Sequence, residues 1–296
     1  MDSSTPLRST SGNSVGRSPG RGQAVATERQ SALEAVLRRD QAVVVAALLG
    51  LIALSWALIV LGVGSGMSAL EMTRMPRDMV MSPAVWTAGY AALMLAMWWV
   101  MMVAMMLPGA SPMLLIFARI SRRERAGGRP YVPTGIFAAG YLCVWAGFSA
   151  VAVAVQWGLE RAGLLSGMMV TTSRWLGATI LIAAGLWQLT PIKHTCLRQC
   201  RSPVAYLSGH WRHGRGGAFA MGLEHGAYCL GCCWFLMALL FFGGVMNLYW
   251  IAGIAAYVLL EKLLPMGHWL GYAAGLGLTG AGVYLLATGW PGAQLQ

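Results

Sequence analysis

Five side chains able to bind a metal or exchange electrons lie within residues 222–233 of this chain. The stretch reads Gly-Leu-Glu-His-Gly-Ala-Tyr-Cys-Leu-Gly-Cys-Cys and carries a carboxylate, an imidazole and three thiols. They belong to Glu224, His225, Cys229, Cys232 and Cys233. The surrounding residues are apolar enough to cross a bilayer, where polar side chains are rare unless they have partners or a function. The stretch is therefore the first candidate for a metal-binding or thiol-exchange site.

The same stretch presents one chemical face if it is helical. At about 100° per residue, His225 and the three thiols fall within an arc of roughly 120°. Gly222 and Gly226 lie on the same arc, and such small residues let a second helix approach closely. Glu224 lies to the side of His225, where it could ligate a metal, orient the imidazole or pair with a Lys or Arg. A single Cys in a helix is usually an inert packing residue, whereas three beside a His favour a site.

A second cysteine pair lies in the polar segment 191–203, which is bracketed by two prolines. If the segment is helical, Cys196 and Cys200 share a face, with His194 near its start. Two thiolates at this spacing can hold Zn²⁺ or Cu(I), and the basic neighbours favour the thiolate form. The histidines of the loop 210–213 are interpreted as incidental members of a basic loop.

A row of methionines runs along the second apolar segment. Met recurs there at three- and four-residue steps, which places the thioethers on adjoining helical faces. The row consists of Met94, Met97, Met101, Met102, Met105 and Met106. Thioethers are soft ligands suited to Cu(I), but Met also fills gaps between packed helices, so both interpretations stay open. Pro108-Gly109 is predicted to end this helix before Pro112.

Composition and hydropathy predict the fold class. The chain of 296 residues is 57% hydrophobic and 10% charged, whereas soluble domains carry about 25% charged residues. Its apolar residues form runs near the roughly 20 residues that a helix needs to cross a bilayer. We therefore predict an all-α, polytopic membrane bundle of about seven transmembrane helices. The predicted spans are Ala42–Gly64, Ala84–Leu107, Pro133–Trp157, Arg174–Thr190, Gly217–Phe242, Leu248–Leu264 and Trp269–Thr288.

The distribution of basic residues predicts the orientation. With a cytoplasmic N-terminus, seventeen of the 21 Lys and Arg residues lie in inner segments and four in outer ones, as the positive-inside rule requires. Residues 1–41 are predicted as a disordered cytoplasmic tail with an amphipathic piece at Ser31–Arg39, and 42–290 as the transmembrane domain of a multi-pass inner-membrane protein. The net charge of +11 fits topology signals and lipid contacts, and no nucleic-acid-binding motif accompanies it.

The predicted topology also places separated pieces of the chain at one depth. Four pieces carrying soft or ionisable groups fall in the cytoplasmic half of the bundle. They are the stretch 222–233, the pair Cys196 and Cys200, the end of the methionine row at Met102, Met105 and Met106, and Glu261-Lys262. We therefore expect a shared site, whose first test is the distance from the 222–233 thiols to Cys196 and Cys200.

Several of these motifs together resemble a bacterial family of predicted metal-binding integral membrane proteins, DUF2182, whose members are also labelled copper chaperones. The resemblance covers about residues 85–288. It rests on the pieces 104–108, 191–203, 222–234, 244–250 and 261–262. What it implies is a helical membrane protein that binds a metal, with copper as the expected metal.

Three functions remain open at this point. The first is binding of a soft metal, Cu(I) before zinc because thioethers add little for zinc, with delivery or transport of the ion. Its partners would be the metal, the lipid bilayer and a metallochaperone or cuproenzyme. The second is thiol–disulfide chemistry through the cysteine pairs, and the third is a non-catalytic membrane subunit whose Cys and Met face simply packs. The sequence carries no P-loop, Ser/His/Asp set or dinucleotide fingerprint, which argues against ATPase, protease and dehydrogenase activities.

Overall fold

The computed structural model describes residues 21–62, 68–74, 85–128, 132–167 and 169–288. Two units divide the chain, Met1–Ala42 and Val43–Gln296. Every residue of the candidate site lies in the second unit. The first twenty residues of the predicted N-terminal tail lie outside the described residues, and the chain is helical from Arg21 onwards.

Over the described residues the secondary structure is helical, apart from an isolated bridge between Leu165 and Thr171. The described ranges contain ten helices, which confirms the all-α prediction. They are α1 (Arg21–Val60), α2 (Ala69–Arg74), α3 (Ala88–Ala126), α4 (Thr134–Arg161), α5 (Arg174–Leu189), α6 (Pro191–Arg201), α7 (Pro203–His210), α8 (Gly214–Gly243), α9 (Leu248–Leu263) and α10 (Gly267–Thr288).

Five helical segments among the described residues are long and apolar enough to cross a membrane, fewer than the seven predicted. They are Gln41–Val60, Ala88–Arg125, Thr134–Arg161, Gly214–Gly243 and Gly267–Thr288. A sixth crossing results if α5 and α6 are counted together, although they meet at a bend of 66°. Helix α9 has 16 residues, or about 24 Å at 1.5 Å per residue, which is shorter than the roughly 30 Å of a bilayer core.

The bend between α5 and α6 is encoded at Thr190-Pro191. Helix α5 ends at Leu189, Thr190 adopts an extended conformation, and its side chain accepts a hydrogen bond from the Lys193 backbone N–H. Pro191 then occupies the first turn of α6, where its missing N–H costs nothing and its fixed φ suits a helix start. As a result, the polar segment 191–203, whose cysteines share a face only if it is helical, does form a helix over Pro191–Arg201. This helix packs against α8.

The predicted end of the methionine helix at Pro108-Gly109 is wrong. Helix α3 continues through Pro108 and Pro112 to Ala126. Each proline removes one helical hydrogen bond, but all residues from 101 to 107 are buried, and Tyr141 from α4 donates its hydroxyl to the Met106 carbonyl at 3.2 Å. Such contacts from neighbouring helices make prolines tolerable inside membrane-type helices. Tertiary packing therefore outweighs the local stop signal.

Helix α4 packs closely against the face of α8 that carries the glycines predicted from the sequence. A Cβ on Gly140 of α4 would lie 2.9 Å from the backbone nitrogen of Leu223, and one on Gly226 would lie 2.9 Å from Val144 Cγ2. The two backbones therefore approach closely where α8 is smallest. This contact confirms that the Gly222 and Gly226 face of α8 looks into the bundle.

Candidate metal site

Cys229 lies at the meeting point of three helices. Its side chain, on α8, is fully buried. The sulfur lies 3.0 Å from Lys262 Nζ on α9 and 3.2 Å from Tyr141 Oη on α4. Because an ammonium group can only donate, the Cys229 sulfur is the acceptor of the contact with Lys262. The Cys229 sulfur is therefore the atom through which α8 contacts the buried Lys262.

One turn further along α8, the side chains of the other two cysteines of the stretch point back towards Cys229. The thiols of Cys232 and Cys233 donate to the Cys229 carbonyl oxygen at 3.0 and 2.9 Å. Cys233 Sγ also lies 3.7 Å from Met106 Sδ on α3. These local bonds hold both thiols inside the bundle and add a thioether from a fourth helix.

Helix α6 contributes the second cysteine pair. The Cys200 thiol neighbours the thiols of Cys229 and Cys232. Cys196 packs where α8 has a glycine, since a Cβ on Gly231 would lie 2.9 Å from Cys196 Sγ. The two cysteine groups, separated by about thirty residues of sequence, therefore meet across α6 and α8. We call Cys200, Cys229, Cys232, Cys233 and Met106 the thiol pocket.

His225 lies one turn before Cys229 in a wall of aromatic rings. Its ring centroid is 5.8 Å from that of Tyr141 and 5.6 Å from that of Tyr206, and only 2% of the residue is exposed. Its Nδ1 has no hydrogen-bond partner among the described residues. Buried polar atoms are almost always paired. The unpaired Nδ1 is therefore unusual, and its lone pair is available to a metal ion beside the pocket.

Glu224 does not face the thiols. Its Oε2 lies 3.2 Å from Arg212 Nη2 and its Oε1 lies 3.5 Å from His210 Nε2. The structure thus gives Glu224 the ion pair that was one of its three predicted roles. His210, interpreted from the sequence as incidental, is part of this polar cluster near the start of α8.

The remaining sequence-predicted candidates lie on α6 and α3. His194 on α6 contacts the Tyr272 ring at a centroid distance of 5.1 Å, and its Nε2 is buried without a hydrogen-bond partner in the described structure. Met102 and Met105 are fully buried in the same run of α3 as Met106. Their roles as metal ligands stay predictions.

Sequence reasoning missed Tyr141 and did not separate the roles of Glu261 and Lys262. The pair Glu261-Lys262 was expected at the depth of the shared site, whereas Tyr141 was not singled out. The available signal was the lysine itself, because an intramembrane cation needs a partner. That partner could not be identified from the sequence, since Glu261 next to it was the obvious choice and is already taken by Lys193.

Among the described residues, no three or more His, Cys, Asp or Glu side chains are arranged as a ready-made metal site, and the six cysteines are free thiols. The thiol pocket would have to tighten around an ion. Its donor set of four thiols and one thioether, with an unpaired imidazole nitrogen nearby, is soft and fits Cu(I) better than a hard cation. We treat such an ion as cargo of the protein.

Comparison with known proteins identifies one family. A family model described as PpoB2, copper chaperone, matches residues 95–285. The match covers well over half of the chain and includes the whole thiol pocket. No curated protein and no solved structure matches the chain significantly.

Proposed function

This chain belongs to the PpoB2 copper chaperone family, and we propose that it binds Cu(I) in the thiol pocket and delivers or transports the ion. The observation that carries this proposal is the clustering of four thiols, one from α6 and three from α8, with the Met106 thioether beside Cys233. Cu(I) selects thiolate and thioether ligands. Zinc uses thiolates as well, but the thioether would add little to a zinc site.

The other candidate ligands have secondary places in this proposal. Met102 and Met105 continue the row of thioethers along α3, and His225 offers its unpaired nitrogen one turn from Cys229. Cys196 and His194 lie on the same helix as Cys200 and would take up the ion as it enters or leaves. Glu224, held by Arg212, would act outside the pocket at the start of α8.

The bundle is proposed to sit in the inner membrane with its N-terminus in the cytoplasm. The long apolar segments of α1, α3, α4, α8 and α10 would cross it, and the shorter α5 and α9 would complete seven crossings with local adjustment of the bilayer. Residues 1–41 would then form a cytoplasmic tail and 42–290 the membrane domain. The excess of Lys and Arg in the inner segments supports this orientation.

Metal analysis of the purified protein tests the proposed function. The full chain in detergent, loaded with Cu(I) under reducing conditions and passed over a desalting column, should retain copper. A variant with Cys200, Cys229, Cys232 and Cys233 all changed to Ser should retain none. Cys143→Ser is the matched control, because Cys143 on α4 is exposed outside the pocket. Absence of copper from the unchanged protein would rule out the proposal.

Thiol–disulfide exchange is the second candidate, favoured by one specific observation. The Cys200 thiol of α6 neighbours the Cys229 and Cys232 thiols of α8, and this candidate would form its disulfide between these two helices. Copper binding and redox exchange give different results. A redox protein would show a defined two-electron midpoint potential and a trappable mixed disulfide with a partner, without retaining copper.

A further inference from the structure

Lys262 is a buried cation whose partner is a sulfur. Only 6% of the residue is exposed, and the one hydrogen bond of its ammonium group within the described structure runs to Cys229 Sγ at 3.0 Å. A buried charge is costly unless it is paired and hydrogen-bonded. Cys229 Sγ is therefore the group in the thiol pocket that can balance the charge of Lys262.

The neighbouring carboxylate does not supply that charge. Glu261 Oε1 accepts from the fully buried Lys193 ammonium and lies 3.3 Å from Tyr257 Oη. Lys193 also donates to Gln188. This second ion pair is complete in itself, with one lysine for one carboxylate. The charge of Lys262 is therefore left to be balanced by the sulfurs of the thiol pocket.

The bundle makes room for the lysine side chain. A Cβ on Gly109 of α3 would lie 3.0 Å from Lys262 Cδ and 3.5 Å from its Nζ. A methyl group at this position would crowd the Lys262 side chain at Cδ. The proline-containing part of α3 is thus shaped to let Lys262 reach the pocket.

We propose that Lys262 is the specificity-determining residue that makes the pocket select a monovalent ion over a divalent one, an inference that rests on the proposed function. Cu(I) bound to the Cys229 thiolate and to a second sulfur such as Cys232 replaces one thiol proton, which leaves for water. No electron moves in this exchange. Two thiolates then balance one Cu(I) and one ammonium, and the Met106 thioether adds no charge.

The same two thiolates holding Zn²⁺ would leave one positive charge uncompensated. In a low-dielectric interior such a charge is strongly unfavourable. Zinc would therefore have to deprotonate a third thiol of the pocket to restore neutrality, whereas Cu(I) would not. The ammonium of Lys262 therefore penalises the divalent ion and leaves the monovalent ion balanced.

The test compares Cu(I) and Zn²⁺ binding by the full chain in detergent, with competing chromophoric chelators for each metal. Lys262→Gln removes the charge but keeps a donor for Cys229. We expect it to weaken Cu(I) binding, strengthen Zn²⁺ binding and lower the Cu(I)-to-Zn²⁺ affinity ratio by about tenfold or more. Lys262→Arg, which keeps the charge, should retain the ratio of the unchanged protein.

Lys262→Met is a second variant, which removes both the charge and the hydrogen-bond donor. It should lower the same ratio, so the test does not depend on one variant folding. An unchanged ratio in both Lys262→Gln and Lys262→Met would overturn the inference while leaving copper binding intact. Equal affinity of the unchanged protein for both metals would also overturn it. A protein that binds neither metal would instead refute the proposed function.

Discussion

Met106 Sδ on α3 lies 3.7 Å from Cys233 Sγ on α8, across 127 residues of sequence. This contact joins the methionine row to the cysteine stretch, which the sequence could place only at a similar depth. The contact fits both interpretations of Met106, as a packing residue and as a metal ligand.

Replacing Met106 with Leu should separate those two interpretations. Leu fills a similar volume, so folding should be largely retained, but the soft donor is lost. We expect Cu(I) affinity to fall about tenfold, or 1.4 kcal/mol, measured by competition with a Cu(I) chelator. Met113→Leu is the control, since Met113 is equally buried in α3 and lies about two turns beyond Met106. Equal affinities in both variants would make Met106 a packing residue.

The contact between α4 and α8 predicts that two glycine substitutions on α4 differ in their effect on stability. Gly140→Ala would place a Cβ 2.9 Å from the Leu223 backbone nitrogen, and backbone atoms cannot yield as a flexible side chain can. We expect destabilisation of roughly 1–3 kcal/mol from overpacking, measured as a lower Tm in detergent. Gly147→Ala on the same helix meets open space and should leave Tm nearly unchanged. If the two variants melt alike, the close approach of the two helices is incorrect.

The sequence predicted what local periodicity determines and missed what distant contacts determine. The shared arc of His225 and the thiols follows from helical geometry, and the inward direction of that arc follows from Gly222 and Gly226. The continuation of α3 past Pro108 depends instead on burial and on the Tyr141 hydroxyl. Likewise, the sequence could not reveal that Glu261 is used by Lys193, because the choice between two adjacent polar residues is made by helices far away in the chain.

The buried pair of Lys193 and Glu261 predicts strong coupling between α6 and α9. Glu261→Gln leaves the Lys193 ammonium buried without its carboxylate, and breaking such a pair typically costs about 3–5 kcal/mol. We expect a large loss of thermal stability in detergent. The double variant Lys193→Met with Glu261→Gln should recover much of it, because the stranded charge is gone. Additive losses in the double variant would show that the two residues do not act as a pair.

The coordination of bound copper tests the central claim most directly. X-ray absorption spectroscopy of the full chain loaded with Cu(I) reports both the oxidation state and the donor atoms around the metal. The thiol pocket predicts Cu(I) surrounded by sulfur, with the signal abolished when Cys200, Cys229, Cys232 and Cys233 are changed to Ser. A first shell made of nitrogen and oxygen, or a sulfur signal that survives the fourfold substitution, would contradict the assignment of copper to this pocket.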